Sequence, residues 1–241
     1  MKVKRLVIAV MGIAVMASCG GGSGGGGGLP VATVGLIYKL INNGMIAGLF
    51  PALQAMLDKM NTNCPFTTAA AVDLSGLTGT CAVDGVETSG TWALSGTVTC
   101  THEGTADGML FTITAMDAAL TVTDCASIVN ADANGDGTDE AVNVKLTGAA
   151  DPFAFAANST ILAVLTDPPV VTLNGSADMT YTNIQLGGDV TATGTYVQGL
   201  NFDNMIITAG GEPTCDMNTF TATQSGESGT CTIQTDCGSC I

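Results

Sequence analysis

From Thr67 to the C-terminus the chain alternates with a period of two, and this constrains the fold more than any other feature. Met109, Phe111 and Ile113 fall on one face of their run, as do Val142, Val144 and Leu146 of theirs. Thr97-Val98-Thr99, Thr121-Val122-Thr123 and Thr191-Ala192-Thr193 repeat the pattern with threonine on the other face. Apolar residues on one face and threonine on the other mark antiparallel strands with one face in a core and one in water. Turn signals recur at Asp84-Gly85, Gly187-Gly188 and Gly210-Gly211, and the spacing predicts about ten to twelve strands. Small residues at many inward positions point to a closely approached or curved sheet. The expected class is mainly β: an antiparallel curved sheet, as a sandwich or half-barrel, with an N-terminal helical segment packed on it. Rows of threonine invite an ice-binding or adhesive reading. High strand propensity and the solubility of an outer face account for them without it.

Residues 31–60 are the exception to the period of two. Ile37, Leu40 and Ile41 are spaced for one helical face, and Leu53, Met56, Leu57 and Met60 continue a stripe. Asn42-Asn43-Gly44 reads as an interruption and Pro51 as the first turn of a second helix, so the expectation is a helical pair covering the sheet. A mobile plug in a lipid-binding cavity is the sharper alternative for the same residues.

The chain opens with Lys2, Lys4 and Arg5, followed by the apolar run Leu6 to Ala17. A spanning helix needs about 20 apolar residues, so this run fits a signal-peptide core better. It ends in Met16-Ala17-Ser18-Cys19, which resembles the lipobox of bacterial lipoproteins, with Met16 where leucine is usual. The resemblance implies a diacylglycerol thioether on Cys19, cleavage before it and acylation of its amine. Gly20 to Gly28 is all glycine except Ser23, a flexible tether that cannot hold a fold. Gly20 stands where an aspartate would imply inner-membrane retention, so the resemblance places the protein at the outer membrane. The expected organisation is residues 1–18 as signal peptide, 19–30 as lipidated cysteine and tether, and 31–241 as one mainly-β domain. G-x-S-x-G and G-x-G-x-x-G matches inside the glycine run lack a strand-turn-helix context and carry no chemistry.

The full chain has a formal charge of -15. Removing residues 1–18 leaves three lysines (Lys39, Lys59 and Lys145) against 21 acidic residues, a charge of −18. No basic patch is available to neutralise phosphates, which argues against nucleic acid and against electrostatic docking on anionic lipid. The expected membrane contact is through the lipid anchor.

Eight cysteines remain after Cys19: Cys64, Cys81, Cys100, Cys125, Cys215, Cys231, Cys237 and Cys240. An even number in an exported chain reads as up to four disulfides, whose connectivity the sequence leaves open. A hairpin loop over residues 224–229 would set Thr223 opposite Thr230 and bring Cys215 near Cys237 or Cys240. Cys237-Gly238-Ser239-Cys240 is similar to a thioredoxin C-x-x-C, but no βαβ pattern surrounds it and no helix follows to lower a thiol pKa. An oxidising compartment and a single C-x-x-C also disfavour zinc.

The most specific internal motif is Asp132-Ala133-Asn134-Gly135-Asp136-Gly137-Thr138-Asp139-Glu140. It is similar to the D-x-[DN]-x-D-G loops of EF-hands and of integrin-type β-hairpin calcium sites. Oxygens of Asp132, Asn134 and Asp136 can converge on one hard cation, Gly137 permits the turn, the Thr138 carbonyl can add a ligand and Glu140 the later carboxylate. Asn143 stands where an EF-hand has its twelfth-position glutamate, so the hairpin version is the better match. Structural Ca²⁺ is the one cofactor expected. The alternative is an acidic turn that binds nothing tightly.

His102, the single histidine, is expected in a surface loop, and no serine has a nucleophile context for it to serve. Trp92 with three tyrosines makes a poor aromatic platform for sugars. The function expected is therefore non-enzymatic: a lipid-anchored envelope protein with a disulfide-stabilised β domain in a structural or interaction role. The alternative is a carrier for a lipid or other apolar ligand. A cavity between residues 31–60 and the sheet would mark the carrier, a filled core the scaffold.

Overall fold

The computed structural model describes residues 28–83, 86–106, 108–133, 135–164, 170–208, 218–224, 226–235 and 239–241. One helix, α1 (Val31–Asn63), precedes ten strands: β1 (Ala70–Asp73), β2 (Leu77–Val83), β3 (Val86–Gly104), β4 (Met109–Ala131) and β5 (Glu140–Phe155), then β6 (Thr160–Val164), β7 (Val170–Gly188), β8 (Ala192–Thr208), β9 (Asn218–Gln224) and β10 (Glu227–Ile233). All ten belong to one antiparallel sheet in the order β1-β3-β4-β5-β7-β8-β9-β10. β2 lies beside β1 along the edge of β3. β6 fills the gap between β4 and β7 beyond the end of β5. The strands form one hydrogen-bonded sheet, within the mainly-β class read from the sequence. α1 touches β2 and β3 near one edge and β9 and β10 at the other, so the sheet curves around the helix.

The helical pair expected over residues 31–60 is one continuous helix ending at Asn63. The residues that read as breakers are packing residues. The Asn43 side-chain amide donates to the Lys39 carbonyl one turn back, at 2.8 Å, which keeps it within helical geometry. Gly44 and Gly48 are buried, and a Cβ on Gly44 would stand 2.7 Å from Leu146 Cβ. Glycine there lets the helix close on β4 and β5. Pro51 lies inside the helix, where it removes one ladder hydrogen bond.

Val34, Ile37, Leu40, Ile41, Met45, Met56 and Met60 of α1 are each no more than 2 % exposed and join the inward sheet residues in one hydrophobic core. Of the expected inward sets, Phe111, Ile113, Val142, Val144, Leu146, Val98 and Val122 are all buried, and Met109 is half-buried against the core. Among the described residues three disulfides join this core. Cys64–Cys100 fixes the end of α1 to β3, Cys81–Cys125 spans from β2 to β4, and Cys231–Cys240 ties β10 to the C-terminal residues. Cys215 and Cys237 lie outside the described residues.

In the β9–β10 hairpin Thr223 pairs with Ser228, not Thr230, because the turn is shorter than the loop expected over residues 224–229. Cys240 is bonded to Cys231, so it is not the partner of Cys215, nor of Cys237 within the C-x-x-C.

Candidate metal centre

β4 and β5 leave their ladder at the pair Ala131 and Glu140, and the chain reverses over residues 132–139. Gly135 (φ 76°) and Gly137 (φ 88°) take the left-handed conformation that the reversal needs. Asp132, the second residue after Asn130 on the chain, organises the loop. Its Oδ1 accepts the N–H groups of Gly135 at 2.7 Å and Asp136 at 3.0 Å, and its Oδ2 accepts that of Gly137 at 2.9 Å. Asp136 Oδ1 in turn accepts the N–H of Thr138 at 2.8 Å. The fold thus aims these carboxylates inward along the turn.

The result is a cluster in which carboxylate oxygens of Asp132, Asp136 and Glu140 all lie within 4.8 Å of one another. Asp132 and Glu140 are half-buried and Asp136 is exposed. A carboxylate offers about four lone-pair directions. Asp132 has committed three to backbone donors, which leaves capacity on Oδ2. Glu140 Oε1 is buried with no hydrogen-bond partner. A desolvated oxygen left without a donor is costly, and close carboxylates repel. A divalent cation would relieve both, and an all-oxygen set suits Ca²⁺ or Mg²⁺ rather than a softer ion. Lys39 of α1 reaches the same loop, with Nζ 3.2 Å from Asp139 Oδ2.

Of the metal candidates read from sequence, the structure brings Asp132, Asp136 and Glu140 together. Thr138 lies in the same loop, exposed, with its N–H turned to Asp136. Asn134 lies outside the described residues, as does the lipidation candidate Cys19.

His102 is not in a surface loop. It sits on β3, 7 % exposed, between the rings of Phe66 (centroids 4.1 Å apart) and Phe111 (6.0 Å). Its backbone N–H donates to the Pro65 carbonyl at 3.0 Å, and pairing of His102 with Phe111 of β4 extends the strand through a segment that reads as a turn. No family model, curated protein or solved structure matches the chain.

Sequence reasoning missed a tyrosine cluster. Tyr38, Tyr181 and Tyr196, all three tyrosines of the chain, are at most 2 % exposed. Tyr38 and Tyr196 both pack on Phe220, at 5.1 and 6.2 Å between centroids. Four separate elements contribute these rings, so no local pattern could have grouped them.

Proposed function

We propose that this is a non-enzymatic, lipid-anchored protein of the cell envelope, held at the outer membrane through Cys19, whose β domain serves a structural or interaction role. The observation that carries the reading over a carrier is the concave face of the sheet. There the side chains of α1 and the strands form one continuous core, closely apposed at Gly44 and Gly48. The anchor is supported by the order of charged, apolar and small residues up to Cys19 and by the glycine tether after it. The loop from Asp132 to Glu140 fits a structural calcium site that fastens the β4–β5 turn.

The test pairs two measurements. Metabolic palmitate labelling should mark the wild type and be lost in Cys19→Ala, which accumulates as precursor. Mass spectrometry of the natively extracted protein should find no stoichiometric lipid besides the covalent anchor. Equal labelling of both proteins removes the anchor, and a co-purifying lipid in stoichiometric amount restores the carrier.

A further inference from the structure

α1 is buried on most of its circumference but not on all of it. Ala32, Leu36, Lys39, Asn43, Ile46, Phe50 and Gln54 follow one another at steps of three or four, and none of them is buried. Residues at this spacing form a single stripe along a helix. The stripe is the side of α1 that the curved sheet covers least, with Leu36 at its edge still touching the core. Its centre is apolar: Ile46 and Phe50 are half-buried neighbours, one turn apart. By length and composition alone the helix is apolar enough to cross a membrane, as a core helix also can be, and 56 % of an 18-residue apolar window is buried inside the protein.

The chain outside the fold says what lies near this stripe. Leu29 donates its N–H to the Ser228 carbonyl at 3.1 Å, and α1 begins two residues later. The ten residues from Cys19 to Leu29 can span at most about 35 Å. A lipid on Cys19 therefore holds the bilayer within reach of the open side of α1 at a high effective concentration. From Ala32 to Gln54 the stripe itself carries no acid, and its one lysine, Lys39, is paired with Asp139 of the β4–β5 loop, in a mature chain of net charge −18.

We infer that the open face of α1, centred on Ile46 and Phe50, rests on the bilayer that anchors the protein. The inference relies on lipidation of Cys19. The contact is apolar, so it does not require anionic lipid: Phe50 and Ile46 enter the interfacial layer while the threonine-rich convex face of the sheet points away. A weak apolar contact suffices, because the tether removes most of the entropic cost of encounter.

The experiment uses full-length lipidated protein in phosphatidylcholine vesicles, with and without acyl-chain-brominated phosphatidylcholine. Trp92, 5 % exposed in the core, is the internal reference. Phe50→Trp should show an added emission component that brominated lipid quenches. Ile128→Trp, at a position 69 % exposed on β4, should show none. Ile46→Trp is read in the same way should Phe50→Trp fail to fold. If the protein sediments with vesicles but the tryptophan on α1 is unquenched, or the one at residue 128 is quenched as strongly, the docking face is wrong and the anchor stands. If the wild type does not sediment with vesicles, the anchor fails and the docking fails with it.

Discussion

Tyr181 and Tyr196 face each other across β7 and β8 as direct register partners, and neither side chain reaches solvent. Burial pushes the Tyr181 hydroxyl well above the ordinary tyrosine range, and the neighbouring Tyr38 adds to the effect. Burial raises Tyr196 in the same direction. A raised folded-state pKa gives a contribution that is intact below the unfolded value, about 10, and is lost as pH climbs above it. In an alkaline titration followed by phenolate absorbance, these two tyrosines should ionise only as the far-UV signal collapses. Normal ionisation near pH 10 in a chain still folded would contradict their burial.

The glycines under α1 make a second prediction. Gly44→Ala gains up to about 1 kcal/mol of intrinsic helix propensity. The new methyl, however, meets Leu146 Cβ at 2.7 Å, and a Cβ anchored to the strand cannot swing aside as a side-chain tip could. Overpacking costs about 1–3 kcal/mol, so the net change should be a destabilisation of about 1 kcal/mol, read from the denaturant midpoint at unchanged slope. A stabilised variant would mean that the helix is not seated this closely.

The disulfides should differ in what they contribute. Cys64–Cys100 closes a separation of 36 residues and Cys231–Cys240 one of 9. Loop entropy assigns them about 4 and about 3 kcal/mol respectively. Replacing each pair with serine should therefore lower stability in that order. Non-reducing peptide mapping should recover both bridges and Cys81–Cys125, leaving Cys215 and Cys237 as the two cysteines free to join each other.

Calcium should raise the thermal midpoint of the wild type and leave Asp132→Ala/Asp136→Ala unmoved, because binding to the folded state alone stabilises by mass action. Three converging carboxylates in a partly exposed loop place the affinity with extracellular modules, about 10⁻⁴–10⁻³ M, so millimolar calcium against chelator is the relevant comparison. An equal midpoint in both conditions, with no heat of binding, would leave the loop as an acidic turn.

What could be read from the residues was what is local. Val142, Val144 and Leu146 share a face because the strand period is two, and Asp132, Asp136 and Glu140 converge because nine residues and two left-handed glycines bring them together. The alternation along β4 was harder. Buried positions run odd at Phe111 and Ile113, even from Ala118 to Val122, and odd again from Cys125. The phase flips where the ladder slips between Thr99 and Cys100, and again where Asp124 takes a φ of 52°. A bulge moves every later side chain to the other face, and its position depends on the neighbouring strand. The same limit applies to Asn42-Asn43-Gly44, whose breaker chemistry is plain in sequence while the Leu146 side chain that requires Gly44 lies about a hundred residues away.

The two ends of the fold meet on its last strand. Leu29 bonds to Ser228 of β10, and Ile241 exchanges two backbone hydrogen bonds with Thr232 of the same strand. The N-terminal turns of α1 thus take part of their cover from β10, the strand farthest from them along the described chain. The rest of the helix is covered mainly by β2, β3 and β4, which follow it closely in the chain. Gly35 of α1 leaves room for the Cys240 carbonyl, and Cys240 is bonded to Cys231, so opening that one bridge would loosen the strand and the first turns of the helix together.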